Sequence, residues 1–226
     1  GDHRDLHLSL RRQRQMCIRD RTVVGPEGPL VTGLVDRFEA AGLKVVGPSK
    51  GAAQLEGSKV FAKDFMQRHG VPTARYQTYL DSETAGQALC RGDYEFPVVV
   101  KADGLAAGKG VLICHDLAQS LAAIHLVMEA RKFGEAGDRV VVEEFLEGEE
   151  LSFMVFTDGN RILPMVASQD HKAIYDGDKG PNTGGMGAYS VDWIFPPEIR
   201  EQVMNNVIEA TISGMASEGH PFSGVL

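Results

Sequence analysis

The strongest chemical signal in the sequence is a glycine-rich segment between two apolar runs, at residues 96–114 (FPVVVKADGLAAGKGVLIC). Its GLAAGKG core could be taken for a Walker A motif, which has four residues before its Gly-Lys pair and then a Ser or Thr that opens a helix. Here three residues intervene, Gly110 follows Lys109, and VLIC is typical of a strand. We therefore predict a hairpin whose backbone amides and Lys109 fold over phosphates, with a merely flexible hairpin as the alternative.

Two further lysines are placed where they could meet the same anion. Lys101 ends the apolar run VVV, so that a strand would direct it toward whatever the hairpin covers. Lys59 follows Ser58, a candidate N-cap, in the first turn of a helix that Gly70 and Pro72 would end. A cation opposes the helix dipole at this position. An anion site and a solvated surface lysine therefore both remain open for Lys59.

Acidic residues follow the apolar run at 140–142, in the segment VVVEEFLEGEELSFMVF. A solvated strand end accounts for the first glutamate pair, but not for Glu149 and Glu150 shortly afterwards. Carboxylates beside a nucleotide loop can bind ribose hydroxyls or Mg²⁺. Free backbone groups between two strands can also bind the edge of an adenine. The pattern predicts a strand, a short connection and a second strand.

Residues 168–190 (SQDHKAIYDGDKGPNTGGMGAYS) are too rich in glycine and charge to predict a regular element. The glycines within residues 184–187 suggest that the backbone approaches a ligand or another loop closely. His171 stands between Asp170 and Lys172, in a polar cluster suited to a small zwitterion or a phosphate. A disordered loop is the alternative interpretation.

The surrounding elements form an α/β pattern. A short strand at Thr22 precedes apolar residues at helical spacing over 30–38, which Gly42 closes, and the strand LKVVG follows. This β–loop–α–β unit predicts a parallel strand pair, which needs further strands to form a buried sheet. Further helices are expected near 117–128 and over 198–216, and a strand at the final FSGVL.

Composition excludes several classes of protein. The 226 residues are 43% hydrophobic and 24% charged, and none of the apolar runs approaches the ~20 residues of a membrane helix. The three cysteines have neither zinc-ligand nor disulfide-framework spacing, which favours the reducing cytoplasm. Residues 1–22 hold six Arg and three Asp, a net charge of +3. Because the whole chain has a net charge of −8, residues 23–226 have a net charge of −11. An acidic body argues against a general nucleic-acid binder.

The basic head at residues 1–21 fits neither kind of targeting peptide. It has no apolar core for secretion, and its three aspartates are unlike a transit peptide. We expect these residues to be unrelated to the fold and disordered or loosely packed.

Six segments carry a family resemblance: GPEGPL, GPSKGAAQLEGSK, VVVKADGLAAGKGV, VEEFLEGEELSF, SQDHK and GPNTGGMGAYS. In this order they resemble the phosphoribosylamine–glycine ligase (glycinamide ribonucleotide synthetase) family, ATP-grasp enzymes of purine biosynthesis. The resemblance covers roughly residues 22–226. GLAAGKG and VEEFL alone would indicate only ATP-grasp, whereas SQDHK with GPNTGGMGAYS narrows the resemblance to this ligase.

The resemblance implies an α/β fold (α+β ATP-grasp). Residues 22–57 would be the tail of a Rossmann-like N-terminal domain, and residues 58–226 an ATP-grasp domain that is incomplete at its C-terminal end. Residues 76–148 would form the nucleotide-binding subdomain with its mobile glycine-rich loop.

The resemblance also implies an ATP site. Lys59 and Lys101 correspond to the two lysines that neutralise the phosphates, and the mobile loop contributes Gly104, Gly108, Lys109 and Gly110. The adenosine side is implied to comprise Glu143 beside the adenine, the Glu144 carbonyl and Leu146 amide at its edge, and Glu150 at the ribose.

Glycine and 5-phosphoribosylamine are the implied substrates. Their implied contacts are Pro26, Glu27, Asp170, His171, Lys172, Asn182, Thr183, Gly184, Gly185, Met186 and Gly187. ATP would phosphorylate the glycine carboxylate, and the amine nitrogen would attack the glycyl phosphate. This gives glycinamide ribonucleotide, ADP and phosphate. Lys101 and Lys172 are assigned as catalytic through charge neutralisation and positioning, because no protein nucleophile is required.

The implied metal is Mg²⁺, with Mn²⁺ as an alternative. The family's metal-binding Glu and Asn would lie beyond Leu226, so no ligand is assigned and the chain as given is expected to lack useful ligase activity. Another ATP-grasp carboxylate–amine ligase and an inactive nucleotide-binding module remain alternatives. We expect no nucleic-acid or membrane partner, and the sequence does not indicate an oligomeric state.

Overall fold

The computed structural model describes residues 21–106, 110–171, 173–177, 179–183 and 185–226. The expectations for residues 1–20 and for four site residues therefore lie outside the described part of the chain. Those four residues are Gly108, Lys109, Lys172 and Gly184. Within the described part, the helices are too short or too polar to cross a membrane.

The first elements form the predicted parallel strand pair, β1 (Thr22–Val23) and β2 (Val45–Val46). The helix expected between them is two helices, α1 (Glu27–Val31) and α2 (Leu34–Ala40). The single-helix expectation is wrong because Gly33 has a φ of 81°, a left-handed conformation that ends one helix and redirects the chain.

A helical segment follows, comprising α3 (Gln54–Gly57) and α4 (Lys59–Arg68). The Phe61 amide donates to Ser58 Oγ over 3.1 Å, so the predicted N-cap of α4 is confirmed. The helix ends at the predicted glycine, since Gly70 has a φ of 66°.

The central sheet consists of β3 (Tyr76–Tyr79), β4 (Val98–Ala102), β5 (Val111–Cys114) and β6 (Val140–Glu144). Its strand order is β3-β6-β4-β5, and every neighbouring pair is antiparallel. The predicted hairpin between β4 and β5 is thus confirmed at its two strands. The sheet packs one face against α5 (Ser82–Arg91) and α6 (Leu117–Ile124).

Alternation along the strands decides which residues fill this core. Val98, Val100, Val140 and Val142 are fully buried in it, together with Ile124 from α6. One π-helical turn, His125–Glu129, and one 3₁₀ segment, Gly134–Asp138, lead from α6 to β6.

A second sheet has the order β13-β7-β8, from β7 (Val155–Asp158), β8 (Ile162–Pro164) and β13 (Ser223–Val225). The expected helix over 198–216 runs through α7 (Pro197–Val203), the π-helical Met204–Glu209 and α8 (Ala210–Ser217). Val155 packs against Ile208 and Ile212 of this helix. The predicted second strand of this segment is β7, which begins at Val155, and Ser152 forms an isolated bridge with Ser168.

Residues 168–190 contain two short strand pairs, so the expectation of no regular element there is wrong. The strands are β9 (Gln169–Asp170) with β12 (Ala188–Tyr189), and β10 (Ala173–Tyr175) with β11 (Lys179–Asn182). These pairs are held by main-chain hydrogen bonds. Such bonds do not depend on alternating apolar residues, so the sequence carries no alternation that would predict the strands. We call the two together the hairpin pair. A short 3₁₀ turn, Asp192–Ile194, follows it.

Candidate functional site

The face of the central sheet that lies opposite its packed core carries the charges. Lys101 is paired in register with Val141, and Val99 with Glu143, so the lysine and the glutamate point to the same side. The Lys101 ammonium forms an ion pair with Glu143 Oε1. The Glu143 side chain is only 6% exposed, and a carboxylate buried to this degree needs a cation beside it.

A second cation reaches the same carboxylate from α4. Lys63 Nζ lies 2.5 Å from Glu143 Oε2 and donates to Thr73 Oγ1 over 2.7 Å. Lys63 was not among the predicted site residues, although its place four residues after Lys59 puts both lysines on one face of the helix. We refer to Lys63, Lys101 and Glu143 as the charged face.

Lys59 lies at the start of α4, where its ammonium donates to the Gly104 carbonyl over 2.8 Å. Burial lowers the pKa of Lys59, with the nearby Asp103 opposing and Lys101 adding to this effect. Lys59 is therefore partly buried and hydrogen-bonded rather than fully solvated, and its place in an anion site stays a prediction. The two predicted phosphate lysines are close enough to influence each other, at the point where the glycine-rich hairpin begins.

Asp103 fixes the spacing between these two lysines. Its Oδ1 accepts from the Ser58 hydroxyl over 2.9 Å and from the Val60 amide over 3.1 Å, and Arg139 pairs with its Oδ2. Asp103 is buried and directly follows β4. One carboxylate therefore ties the end of β4 to the first turn of α4, and neither element can shift without breaking hydrogen bonds.

Strand β6 ends at a fixed residue, Glu144, and the connection that follows it includes an exposed residue. The Arg75 amide donates to Glu144 Oε1 over 2.7 Å, and the Glu144 amide donates to the Arg75 carbonyl over 3.0 Å. The Leu146 side chain is 65% exposed. Glu150 lines a pocket of about 370 Å³, of which Trp193 forms another wall.

The hairpin pair brings several of the predicted substrate residues together. The His171 amide donates to the Gly187 carbonyl over 3.0 Å, and the Met186 amide donates to the His171 carbonyl over 2.7 Å. The His171 ring stacks on Tyr189 at 5.7 Å between centroids. Asp170 is paired in register with Ala188. The backbone therefore holds Asp170 and His171, the two described members of the predicted polar cluster.

Glycines make this arrangement possible at two positions. Gly185 has a φ of 126° and Gly187 one of 153°, within the region that side chains disfavour. The Gly185 amide also donates to Thr183 Oγ1 over 3.1 Å. In the register of β10 and β11, Asn182 pairs with Ala173.

The predicted Pro26 and Glu27 lie at the beginning of α1. Glu27 lines a mainly apolar cavity of about 440 Å³, together with Leu30, Thr211 and Leu226. Across the described residues, His, Cys, Asp and Glu side chains form no group of three or more that could hold a metal ion.

Comparison with solved structures shows that this mixed α/β fold occurs in other proteins. The chain superposes on the biotin carboxylase domain of 2-oxoglutarate carboxylase from Hydrogenobacter thermophilus, solved with MgADP, with a TM-score of 0.66 at 18% identity, covering 92% of this chain and 48% of that one. At this identity the likeness shows the fold alone.

Sequence comparison identifies the family. The model of the phosphoribosylglycinamide synthetase ATP-grasp (A) domain matches residues 57–226, and that of the N domain of the same enzyme matches residues 8–56. The chain therefore belongs to the phosphoribosylglycinamide synthetase family. This agrees with the resemblance and with the predicted mixed α/β fold. The N-domain match begins at residue 8, within the segment that we expected to be unrelated to the fold. The expectation for residues 1–21 is not tested by the described structure and stays a prediction.

Individual relatives agree with the family match. The phosphoribosylamine–glycine ligase of Allochromatium vinosum is 57% identical over 205 residues, covering 91% of this chain and 47% of the relative. The Escherichia coli K12 ligase is 53% identical over 207 residues, covering 92% and 48%. The crystal structure of the Thermotoga maritima ligase superposes with a TM-score of 0.80 at 33% identity, covering 92% and 50%. The chain thus spans about half the length of these relatives.

Proposed function

We propose that this chain is part of an ATP-dependent ligase that joins glycine to 5-phosphoribosylamine. A glycine carboxylate oxygen attacks the γ-phosphorus of ATP, and ADP leaves. The amine nitrogen of phosphoribosylamine then attacks the carboxyl carbon of glycyl phosphate, inorganic phosphate leaves, and glycinamide ribonucleotide remains. Catalysis of this kind depends on positioning and on neutralisation of charge.

One observation carries the ATP site: Lys59 and Lys101, from different elements, converge where the glycine-rich hairpin begins. Two ammonium groups held together in this way attract an anion with several charges. Gly104 and Gly110, at the described ends of the hairpin, would let its backbone approach the phosphates. We assign the role of a phosphate ligand with catalytic effect to Lys101.

The adenine side is supported by a buried polar atom. Among the described residues Glu143 Oε2 has an ion contact with Lys63 but no aligned hydrogen bond, and an exocyclic amino group could supply one. The Glu144 carbonyl at the end of β6 and the Leu146 amide in the connection after it would bind the adenine edge. Glu150 would bind the ribose.

The hairpin pair is proposed to receive the other substrates. The side chains assigned to glycine or phosphoribosylamine there are Asp170, His171, Lys172, Asn182 and Thr183. Residues 184–187 would bring backbone amides close to the substrates, and Pro26 and Glu27 would contact the amine. Among the described residues, His, Cys, Asp and Glu side chains form no group of three or more that could hold a metal ion, and we propose no residue of this chain as a ligand of Mg²⁺ or Mn²⁺.

A chimaera tests the function of the whole enzyme. Residues 22–226 of this chain would replace the matching half of the Allochromatium vinosum relative, and product would be measured from ATP, glycine and freshly generated phosphoribosylamine. We expect glycinamide ribonucleotide within about tenfold of the parent rate, a difference near 1.4 kcal/mol in barrier. The same chimaera with Lys101→Met is the control for residual activity. A folded chimaera that makes no product would contradict the proposal.

The alternative of another ATP-grasp carboxylate–amine ligase is separated by the same assay. Replacing glycine with D-alanine, at equal concentration, should stop phosphate release if the hairpin pair selects glycine. Phosphate release that is faster with D-alanine than with glycine would favour the alternative.

A further inference from the structure

The charged face holds one cation more than the proposed ATP chemistry uses. Lys59 and Lys101 are assigned to phosphates, whereas Lys63 contacts the buried carboxylate of Glu143 from α4. We propose that Lys63 is a positioning residue, which holds Glu143 so that the charge of Lys101 stays available to a phosphate. This inference rests on the proposed ATP site and adds a residue to it.

Lys63 and Lys101 contact different oxygens of the same carboxylate. Lys63 Nζ lies 2.5 Å from Oε2, and Lys101 pairs with Oε1. The two ammonium groups therefore do not compete for one atom, and Glu143 can keep one cation while the other moves. The three side chains together carry one net positive charge, which an anion can use.

Exposure decides which of the two cations can move. The side chain of Lys101 is 26% exposed, whereas that of Lys63 is 10% exposed and that of Glu143 only 6%. A carboxylate this deeply buried must retain a cation, because an unpaired buried charge is strongly destabilising. Without Lys63, that cation would have to be Lys101, and a phosphate would have to compete with Glu143 for it.

The hydrogen bonds of Lys63 exclude direct contact with a ligand. An ammonium group has three donors. Lys63 donates to Thr73 Oγ1 at 2.7 Å and to the Ala74 carbonyl at 3.5 Å, and its ammonium group lies in ion contact with the carboxylate of Glu143. The Tyr76 ring, 5.5 Å from the ammonium, covers it further. Lys63 thus acts on a ligand only through Glu143.

Calorimetric titration of this chain with ATP and with adenosine tests the inference. We expect Lys63→Met to weaken ATP binding about tenfold, the size of one charge-assisted hydrogen bond, and to weaken adenosine binding less, because adenosine has no phosphate that must compete with Glu143 for Lys101. In a Glu143→Gln background, adding Lys63→Met should leave ATP affinity unchanged, because the residue through which Lys63 acts is absent. Lys44→Met, which removes an exposed lysine elsewhere, is the matched control for net charge.

Each outcome decides the inference. Equal ATP affinities for wild type and Lys63→Met would overturn it, and so would a further loss on adding Lys63→Met to Glu143→Gln. If Lys63→Met alone fails to fold, as its thermal melt would show, the comparison in the Glu143→Gln background decides by itself, since the double variant leaves neither buried charge. A folded wild-type chain that binds no ATP would overturn the proposed function, and this inference with it.

Discussion

The charged face and the hairpin pair position their polar groups in different ways. On the charged face, ion pairs and burial between a sheet and α4 fix the side chains themselves. In the hairpin pair, main-chain hydrogen bonds and left-handed glycines fix the backbone, while His171 and Tyr189 remain exposed. One region is organised before a ligand arrives, and the other presents an ordered backbone with side chains open to solvent.

This difference separates binding of the nucleotide from selection of the other substrates. Fixed charges cost no reorganisation when phosphates bind or react. Exposed side chains on a short strand pair lose conformational entropy when a ligand orders them. We therefore expect substitutions on the charged face to change nucleotide affinity and stability, and substitutions in the hairpin pair to change mainly the response to glycine.

The largest expected effect concerns packing beneath the charged face. Val142→Ala removes two methyl groups from the fully buried side of β6, and should lower the free energy of unfolding by about 2–3 kcal/mol. Ile174→Ala, on an exposed strand of the hairpin pair, should cost less than about 0.5 kcal/mol. Urea unfolding of both variants measures the difference. Similar losses would show that the two regions are packed alike.

The next effect concerns nucleotide affinity. Lys101→Ala should weaken ATP binding about 30-fold, because it removes a charge-assisted contact held by β4. His171→Ala should leave ATP binding within about twofold, the size of the error in a typical titration. Lys109→Ala should cost less than Lys101→Ala, because the sequence places Lys109 at a glycine-rich tip that has to be ordered. An equal loss for both lysines, or a large loss for His171→Ala, would contradict this ranking.

A pH titration sharpens the comparison within the phosphate site. Burial lowers the pKa of Lys59 below its ordinary 10.5, and only its charged form attracts phosphate. ATP affinity should therefore be complete below the lowered pKa and should fall as the pH rises through it, beginning before pH 10.5. Calorimetry at several alkaline pH values should show a smaller fall for Lys59→Met. Parallel curves for the two proteins would assign the fall to another group.

The smallest effect concerns the link between α4 and α8. Glu218 accepts from His69 at 2.7 Å, which with Arg68 holds the pKa of Glu218 below its ordinary 4.5. A lowered folded pKa adds stability above pH 4.5 that is lost as the pH falls through the folded value. At pH 7, Glu218→Gln should thus lower the free energy of unfolding by less than about 1 kcal/mol, which would appear as a slightly lower melting temperature. The difference between the two proteins should shrink as the pH falls below 4.5, and a difference that does not change with pH would contradict the link.

Local signals predicted the elements that position the phosphate lysines. The apolar runs on either side of the glycines predicted β4 and β5, and Ser58 predicted the beginning of α4. These features depend on neighbours in the sequence, so the sequence alone was sufficient for them. The split of the helix over 30–38 was missed because Gly33 fits equally well inside a weak helix or between two helices.

Long-range contacts could not be predicted in the same way. Lys63 has the appearance of one more charge on a helix, and its burial follows only from the approach of Glu143 in a distant strand. The role of Asp103 likewise depends on Arg139 and on the start of α4. The strand pairs of residues 168–190 are backbone structures with little apolar pattern, so propensity gave no signal for them.

The strand order of the central sheet has a consequence for how the chain is made. Strand β6 is the last of the four in sequence, yet it lies between β3 and β4. Until a ribosome has delivered residue 144, β3 has no neighbour in this sheet and one edge of β4, with its run of three valines, stays open. Strands that are far apart in the sequence pair slowly, and open apolar strand edges can pair between nascent chains. A lysine within an edge strand disfavours that pairing, so we expect Lys101 to oppose aggregation of the half-made sheet.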